Sequence, residues 1–199
     1  MRAIAVTART VTAKSKFTVW LAAICAAVAV ALSVPLRSVI EQSMAWHMAF
    51  QMPLLVLSGW LMMRALPRNL HFSGWASFNN FGLTGFMAAQ VILAYWMLPS
   101  ALDRAVVLPM FDAAKVITLL ISGVLLADAF NRAPSVLQLF FMGYWVSMMA
   151  WLGIYFTTTD LRLCNAYSLE GQIATGWGLL GWAAALGLAW VASVLRQKK

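Results

Sequence analysis

Long apolar runs broken by short polar segments dominate this chain. Continuous apolar stretches cover residues 17–34, 44–63, 78–98, 105–127, 135–156 and 173–195. Each is close to the ~20 residues that a helix needs to cross the hydrocarbon core of a bilayer. Backbone N–H and C=O groups in lipid have to pair within their own segment or around a closed barrel. The runs are continuous rather than alternating, so helices are expected and a barrel is not. Pro35, Pro67, Pro99 and Pro134 fall at or near the junctions, where a missing N–H costs least. The pattern predicts an all-α fold, a polytopic transmembrane helical bundle of about six spans, forming one domain over residues 1–199.

Composition agrees with that expectation. Hydrophobic residues make up 63% of the chain and charged ones 10%, and the mean hydropathy is +0.81. That leaves too little charge to cover a soluble domain and no room for a separate catalytic one, so no enzyme is expected. The net charge of +8 would suggest nucleic acid in a soluble protein. Here the basic residues sit in short loops and tails, where topology and anionic headgroups of membrane lipid account for them, and no nucleic-acid partner is expected. Placing the amino terminus in the cytoplasm puts Arg2, Arg9, Lys14, Lys16, Arg64, Arg68, Arg132, Arg196, Lys198 and Lys199 inside. Arg37, Arg104 and Arg162 then fall outside, together with Glu41, Asp103, Asp160 and Glu170. The positive-inside rule thus predicts a multi-pass protein of the bacterial inner membrane with both termini cytoplasmic. The basic leader before the first run also fits a cleaved signal peptide, but the length of the run favours a retained helix. Cys25 lies in that run and Cys164 in a loop, so no disulfide framework and no paired-cysteine metal or redox site is expected.

Candidate chemistry concentrates in two runs. Met44, His47, Met48 and Gln51 follow the i, i+3, i+4, i+7 spacing of one helical face, with Met52 beside it. Thioether sulfur and imidazole nitrogen are ligands that suit Cu(I); methionine is also a flexible core filler. An ionisable histidine inside a span is costly and is retained mostly for function. Asp112 and Lys115, at i, i+3, share a face of the fourth run and can pair. They read either as a structural ion pair or as the lining of an ion or proton path. Topology brings His47, Met48, Met97, Met110 and Asp112 towards one level near the outer face. His71 falls in a loop on the opposite side, so the two histidines cannot share a haem and none is expected. The chain has no Ser/His/Asp grouping and no phosphate-cradling glycine loop.

The stretch from Leu32 through Pro35, Glu41, His47, Met48, Gln51 and Met52 to Leu55 resembles the multi-span cytochrome c oxidase assembly factors of the CtaG type. Those carry a Ser-Pro-Leu turn, an acidic residue and a His-Met-x-Gln-His-Met-like helix. Trp96-Met97-Leu98-Pro99 followed by Asp103 is similar to the family's Trp-His-x-Pro and Tyr-Asp turn. Glu170-Gly-Gln172 through Trp177 is similar to its Gln-x-x-Gly-x-x-x-Trp helix. The resemblance covers roughly residues 30 to 185. It implies copper handling or delivery at the periplasmic face, with oxidase subunits or periplasmic copper proteins as partners. His47 and Met48 match the family's first histidine and its methionine. The second histidine falls near Gln51 or Met52, the third at Met97, and the later pair near Asp112 and Lys115. The expected metal set is therefore His47, Met48, Met44, Met52, Met97, Met110 and Asp112, for Cu(I). Two outcomes stay open: a site changed to sulfur ligands, or a fold retained without metal. The alternatives from other classes are a small transporter or channel gated by Asp112 and Lys115, and a non-catalytic membrane scaffold.

Reporter fusions test the topology. Fusions at Arg64–Arg68 and at Lys199 are expected to read cytoplasmic and fusions at Asp160–Arg162 periplasmic. A periplasmic carboxyl terminus would overturn the predicted orientation.

Overall fold

A computed structural model of the protein describes residues 37–65 and 78–197, together with Trp20 and Ile24. The expected first span, 17–34, otherwise lies outside the described residues. The described chain is all-helical, with no strand. A single turn, α1 (Arg37–Ile40), comes first. A π-helical segment, Ala45–Gln51, then runs directly into α2 (Met52–Ala65). A 3₁₀ turn at Asn80–Gly82 opens α3 (Leu83–Trp96). The rest is α4 (Pro99–Val107), α5 (Pro109–Arg132), α6 (Ser135–Thr158) and α7 (Leu169–Gln197).

Among the described residues, four helical stretches are long and apolar enough to cross a membrane: Ala45–Ala65, Pro109–Arg132, Ser135–Thr158 and Leu169–Leu195. Asn80–Trp96 and Pro99–Val107 form a pair bent by 72°, which makes a fifth if taken as one broken span. The runs expected at 44–63, 135–156 and 173–195 therefore appear nearly as drawn. The pair expected at 78–98 and 105–127 does not. Residues 99–107 form a helix of their own, and the next span starts at Pro109 rather than Ala105 and continues to Arg132. The physical reason is proline. Pro99 and Pro109 each occupy the first helical turn, and Leu98 and Leu108 before them are extended, with ψ of 129° and 114°. A residue before proline is pushed out of the helical region, while proline itself starts a helix well. The helix that results, α4, is amphipathic. Ala101, Leu102 and Ala105 are buried and Arg104 is exposed, so it lies across the end of the bundle.

Helix α5 is the hub, packing on α2, α3 and α4, whereas α6 pairs with α7, and α7 also packs on the π-helical segment. Glycines set the closest approaches. A Cβ on Gly59 would collide with the Leu120 carbonyl, and one on Gly123 with the Val56 carbonyl, so α2 and α5 meet backbone to backbone. Two core clusters result. One, at the α4 end, includes Met48, Leu102, Leu119 and Leu179. The other includes Phe86, Leu126, Ala129 and Phe141, with Phe86 and Phe141 stacked at 4.6 Å.

A polar latch closes the second end. Asn79 Oδ1 accepts from the Gly85 N–H at 2.9 Å, and its Nδ2 donates to Asp128 Oδ2 at 2.8 Å. Arg132 Nε in turn donates to Asp128 at 2.9 Å. Gly82 is left-handed there, at φ 72°, and passes so close to Ala129 that a side chain would strike its backbone.

Gly123→Ala is expected to destabilise the fold by about 1–3 kcal/mol, the cost typical of overpacking a filled contact, and so to lower the thermal unfolding temperature in detergent. Gly143→Ala, whose Cβ would meet nothing within 4 Å, should leave it unchanged or slightly raised. Equal behaviour of the two variants would contradict the close approach of α2 and α5.

Candidate functional site: a buried charge network

Four charged side chains, a histidine and a tyrosine converge where α4 crosses the bundle. Arg37 and Glu41 are one turn apart, with Arg37 Nε donating to Glu41 Oε2 at 2.9 Å. Arg37 Nη2 also donates to the carbonyls of Ala105 and Val106, at 3.0 and 3.1 Å. Those carbonyls belong to the last turn of α4, which has no intrahelical donors left for them. Asp112 lies in the first turn of α5, where the helix N-terminus favours an anion. Lys115, one turn on, is fully buried.

Lys115 Nζ is the centre of the network. It sits 2.7 Å from His47 Nε2, 2.7 Å from Asp112 Oδ1 and 3.7 Å from Glu41 Oε1. The Asp112 contact has ion-pair distance without hydrogen-bond alignment. Arg37 Nε lies 3.5 Å from Asp112 Oδ2, which closes a ring of two cations and two carboxylates. The formal charges cancel, which lowers the cost of placing them in apolar surroundings.

The π-helical segment aims His47 into this ring. Its wider turn puts His47, Met48 and Gln51 inside together, and the Met52 N–H donates to the His47 carbonyl five residues back. An ammonium has only donors, so His47 Nε2 accepts from Lys115 and the ring proton is assigned to Nδ1. Nδ1–H then donates to the Tyr167 hydroxyl at 2.6 Å. Tyr167 comes from the loop between α6 and α7. Asp103 of α4 ties that loop down by accepting from the Asn165 and Ala166 N–H groups at 3.2 and 3.3 Å. Gln172 ties it again through the Leu163 N–H and the Leu161 carbonyl. Burial, reinforced by Glu41, pushes the Tyr167 pKa upward, so it remains a neutral phenol. In the same loop, burial and then Asp103 push the Cys164 thiol up to about 11.

The expected ligand residues separate into three groups. Met44, His47, Met48 and Met52 are buried together, as their spacing predicts. Asp112 reaches His47 only through Lys115. Met97 packs half-buried against the same core cluster, but Met110 is 85% exposed and does not join them. Met110 is two residues before Asp112, and on a helix that spacing turns it to a different face. Three members were not among the expected site residues: Arg37, Glu41 and Tyr167. The i, i+4 spacing of Arg37 and Glu41 is a usable signal. Nothing local marks Tyr167, which lies 120 residues from His47.

Comparison with protein-family models, with curated proteins and with solved structures finds no match to this chain.

Removing either charge of the Asp112–Lys115 pair leaves its partner buried with the ring's neutrality broken. Asp112→Asn and Lys115→Met are each expected to destabilise strongly, towards the 3–5 kcal/mol seen when one member of a buried pair is lost. The double variant should lose less than the sum of the two. Thermal unfolding of all three in detergent reads this directly, and strictly additive losses would mean that the residues do not interact.

Proposed function

We propose that this protein is a non-catalytic membrane scaffold whose network end is held by a tethered cation rather than by a bound metal. It works in the bacterial inner membrane with that end on the periplasmic side and both termini in the cytoplasm, as the distribution of basic residues implies. The observation that carries the reading is the position of Lys115 Nζ, 2.7 Å from both His47 Nε2 and Asp112 Oδ1. An ammonium among one nitrogen and two carboxylate oxygens occupies the place that a ligated ion would need. A cation approaching His47 meets both ring nitrogens already engaged, with Lys115 and Arg37 beside them. The donor set in this arrangement does not suit a resident Cu(I) ion. The interior does not suit ion conduction either. Between the network and the Asp128–Arg132 pair lie an apolar core and a cavity with almost no polar lining. Ser122, between Lys115 and Asp128 on α5, is buried but donates to the Leu119 carbonyl of its own helix, so among the described residues no run of charged groups joins the two ends.

One observation favours a second reading. Met44, Met48 and Met52 are buried on the helical face of His47, a sulfur and nitrogen set that suits Cu(I) as transient cargo once Lys115 swings aside. Under that reading the protein hands copper to cytochrome c oxidase or another copper enzyme, as the resemblance implies.

A Cu(I) competition titration of the purified protein under reducing conditions separates the two. Under the scaffold reading, the wild type binds Cu(I) no better than a His47→Ala/Met48→Leu control, while Lys115→Met, with the tethered cation gone, binds more tightly than either. One Cu(I) per wild-type chain, lost in the control, would replace the scaffold reading with the copper-handling one.

A further inference from the structure

Between the two core clusters, in the middle of the bundle, lies a cavity of about 310 Å³. We propose that it is a binding site for one acyl chain of a membrane phospholipid.

The walls come from α2, α3, α5, α6 and α7 and expose carbon and sulfur almost exclusively. Water is retained in a cavity only where it finds two or more polar partners, and these walls offer none. Hydrocarbon, by contrast, gains dispersion contacts all round. The volume lies at the small end of the range for ligand sites, about 300–1,000 Å³. Its wall reaches into both core clusters: Met48 and Leu179 belong to one, and Leu126, with Phe130 packed against it, to the other. The mouth is lateral. Leu57 of α2 and Trp182 of α7 line the cavity and are also 46% and 36% exposed, on the surface that faces lipid. Trp182 Nε1 donates to the Ala49 carbonyl at 2.6 Å and so fixes that lip. What enters from this side comes from the bilayer.

The methionines support the same assignment. Of the 12 in the chain, six line this one cavity: Met48, Met52, Met97, Met142, Met148 and Met149. Unbranched thioethers re-pack around apolar partners of varied shape, as a wall that accepts chains of different length and unsaturation requires. No lining group recognises a polar ring or a headgroup, so the chain itself is what is bound, with the headgroup left at the membrane surface. The inference is independent of how the charge network is read.

Native mass spectrometry of the protein released from mild detergent tests it. The wild type is expected to carry one phospholipid per chain. Leu186→Trp and Met149→Trp, which fill the cavity, should reduce retention at least tenfold, whereas Val136→Trp, at a 75% exposed position, should not. Leu186→Phe and Met149→Phe fill less and serve where a tryptophan variant fails to fold; they should each lower retention severalfold. A lipid-free wild type, undiminished lipid on well-folded filled variants, or a neutral non-phospholipid at unit stoichiometry would each overturn the proposal.

Discussion

An ammonium taken out of water costs several kcal/mol unless an acceptor and opposite charges surround it, and Lys115 has one acceptor and two carboxylates, on three separate segments. His47 belongs to the π-helical segment, Glu41 follows α1, and Asp112 opens α5. Arg37 extends the set to the last carbonyls of α4, and Tyr167 extends it to the loop between α6 and α7. Nearly every element at this end is thus oriented by one buried positive charge. A hydrophobic replacement of the whole ring would cost little and could even stabilise, since buried ion pairs seldom exceed their desolvation penalty. What the ring supplies instead is direction. Apolar helices in lipid have little hydrophobic reason to choose one rotation over another, and a charge with fixed partners chooses for them.

The opposite end solves the same problem on a smaller scale. Asn79, Asp128 and Arg132 tie the turn before α3 to the end of α5. Between the two polar clamps the bundle relies on shape, with the Gly59–Gly123 approach on one side and the cavity on the other. Helix α5 runs through all three levels and carries Lys115, Gly123 and Asp128 in turn. Its length therefore sets the separation of the clamps. The start of α5 at Pro109 matters for the same reason, because a helix begun at Ala105 would displace Asp112 and Lys115 from the ring.

Much of this was legible in the sequence, and the parts that were not share a cause. Hydropathy located the spans near 44–63, 135–156 and 173–195 because continuous apolar runs of that length have few other uses. It failed at residues 99–107, where a small amphipathic helix between Leu98 and Leu108 carries enough apolar residues to merge with the run that follows, although Pro99 and Pro109 mark both breaks. The Asp112–Lys115 pair was readable from its spacing, and so was the shared face of Met44, His47 and Met48. Met110 was misplaced by reasoning about depth alone, when its angular position on the helix already separated it from Asp112. The reach of Lys115 to His47, and of His47 to Tyr167, depends on how distant segments pack, and no local pattern encodes that.

The methionines stand in two settings at once. A run of thioethers near a histidine invites a metal, yet the same side chains line an apolar cavity that continues beneath that histidine. Met48 belongs to both settings: it follows His47 on the π-helical segment, and it forms part of the cavity wall. Ligation and lining make different demands on it. A ligand must hold its sulfur in one place, whereas a lining residue has to move with its guest. His47 is locked on both ring nitrogens and Lys115 is enclosed by acceptors, so the rigid part of this site is the charge network. The methionines stand on the compliant side of that boundary, packed against carbon and tied to no polar partner that would fix a sulfur. Their abundance is better explained by the shape of the cavity than by affinity for an ion.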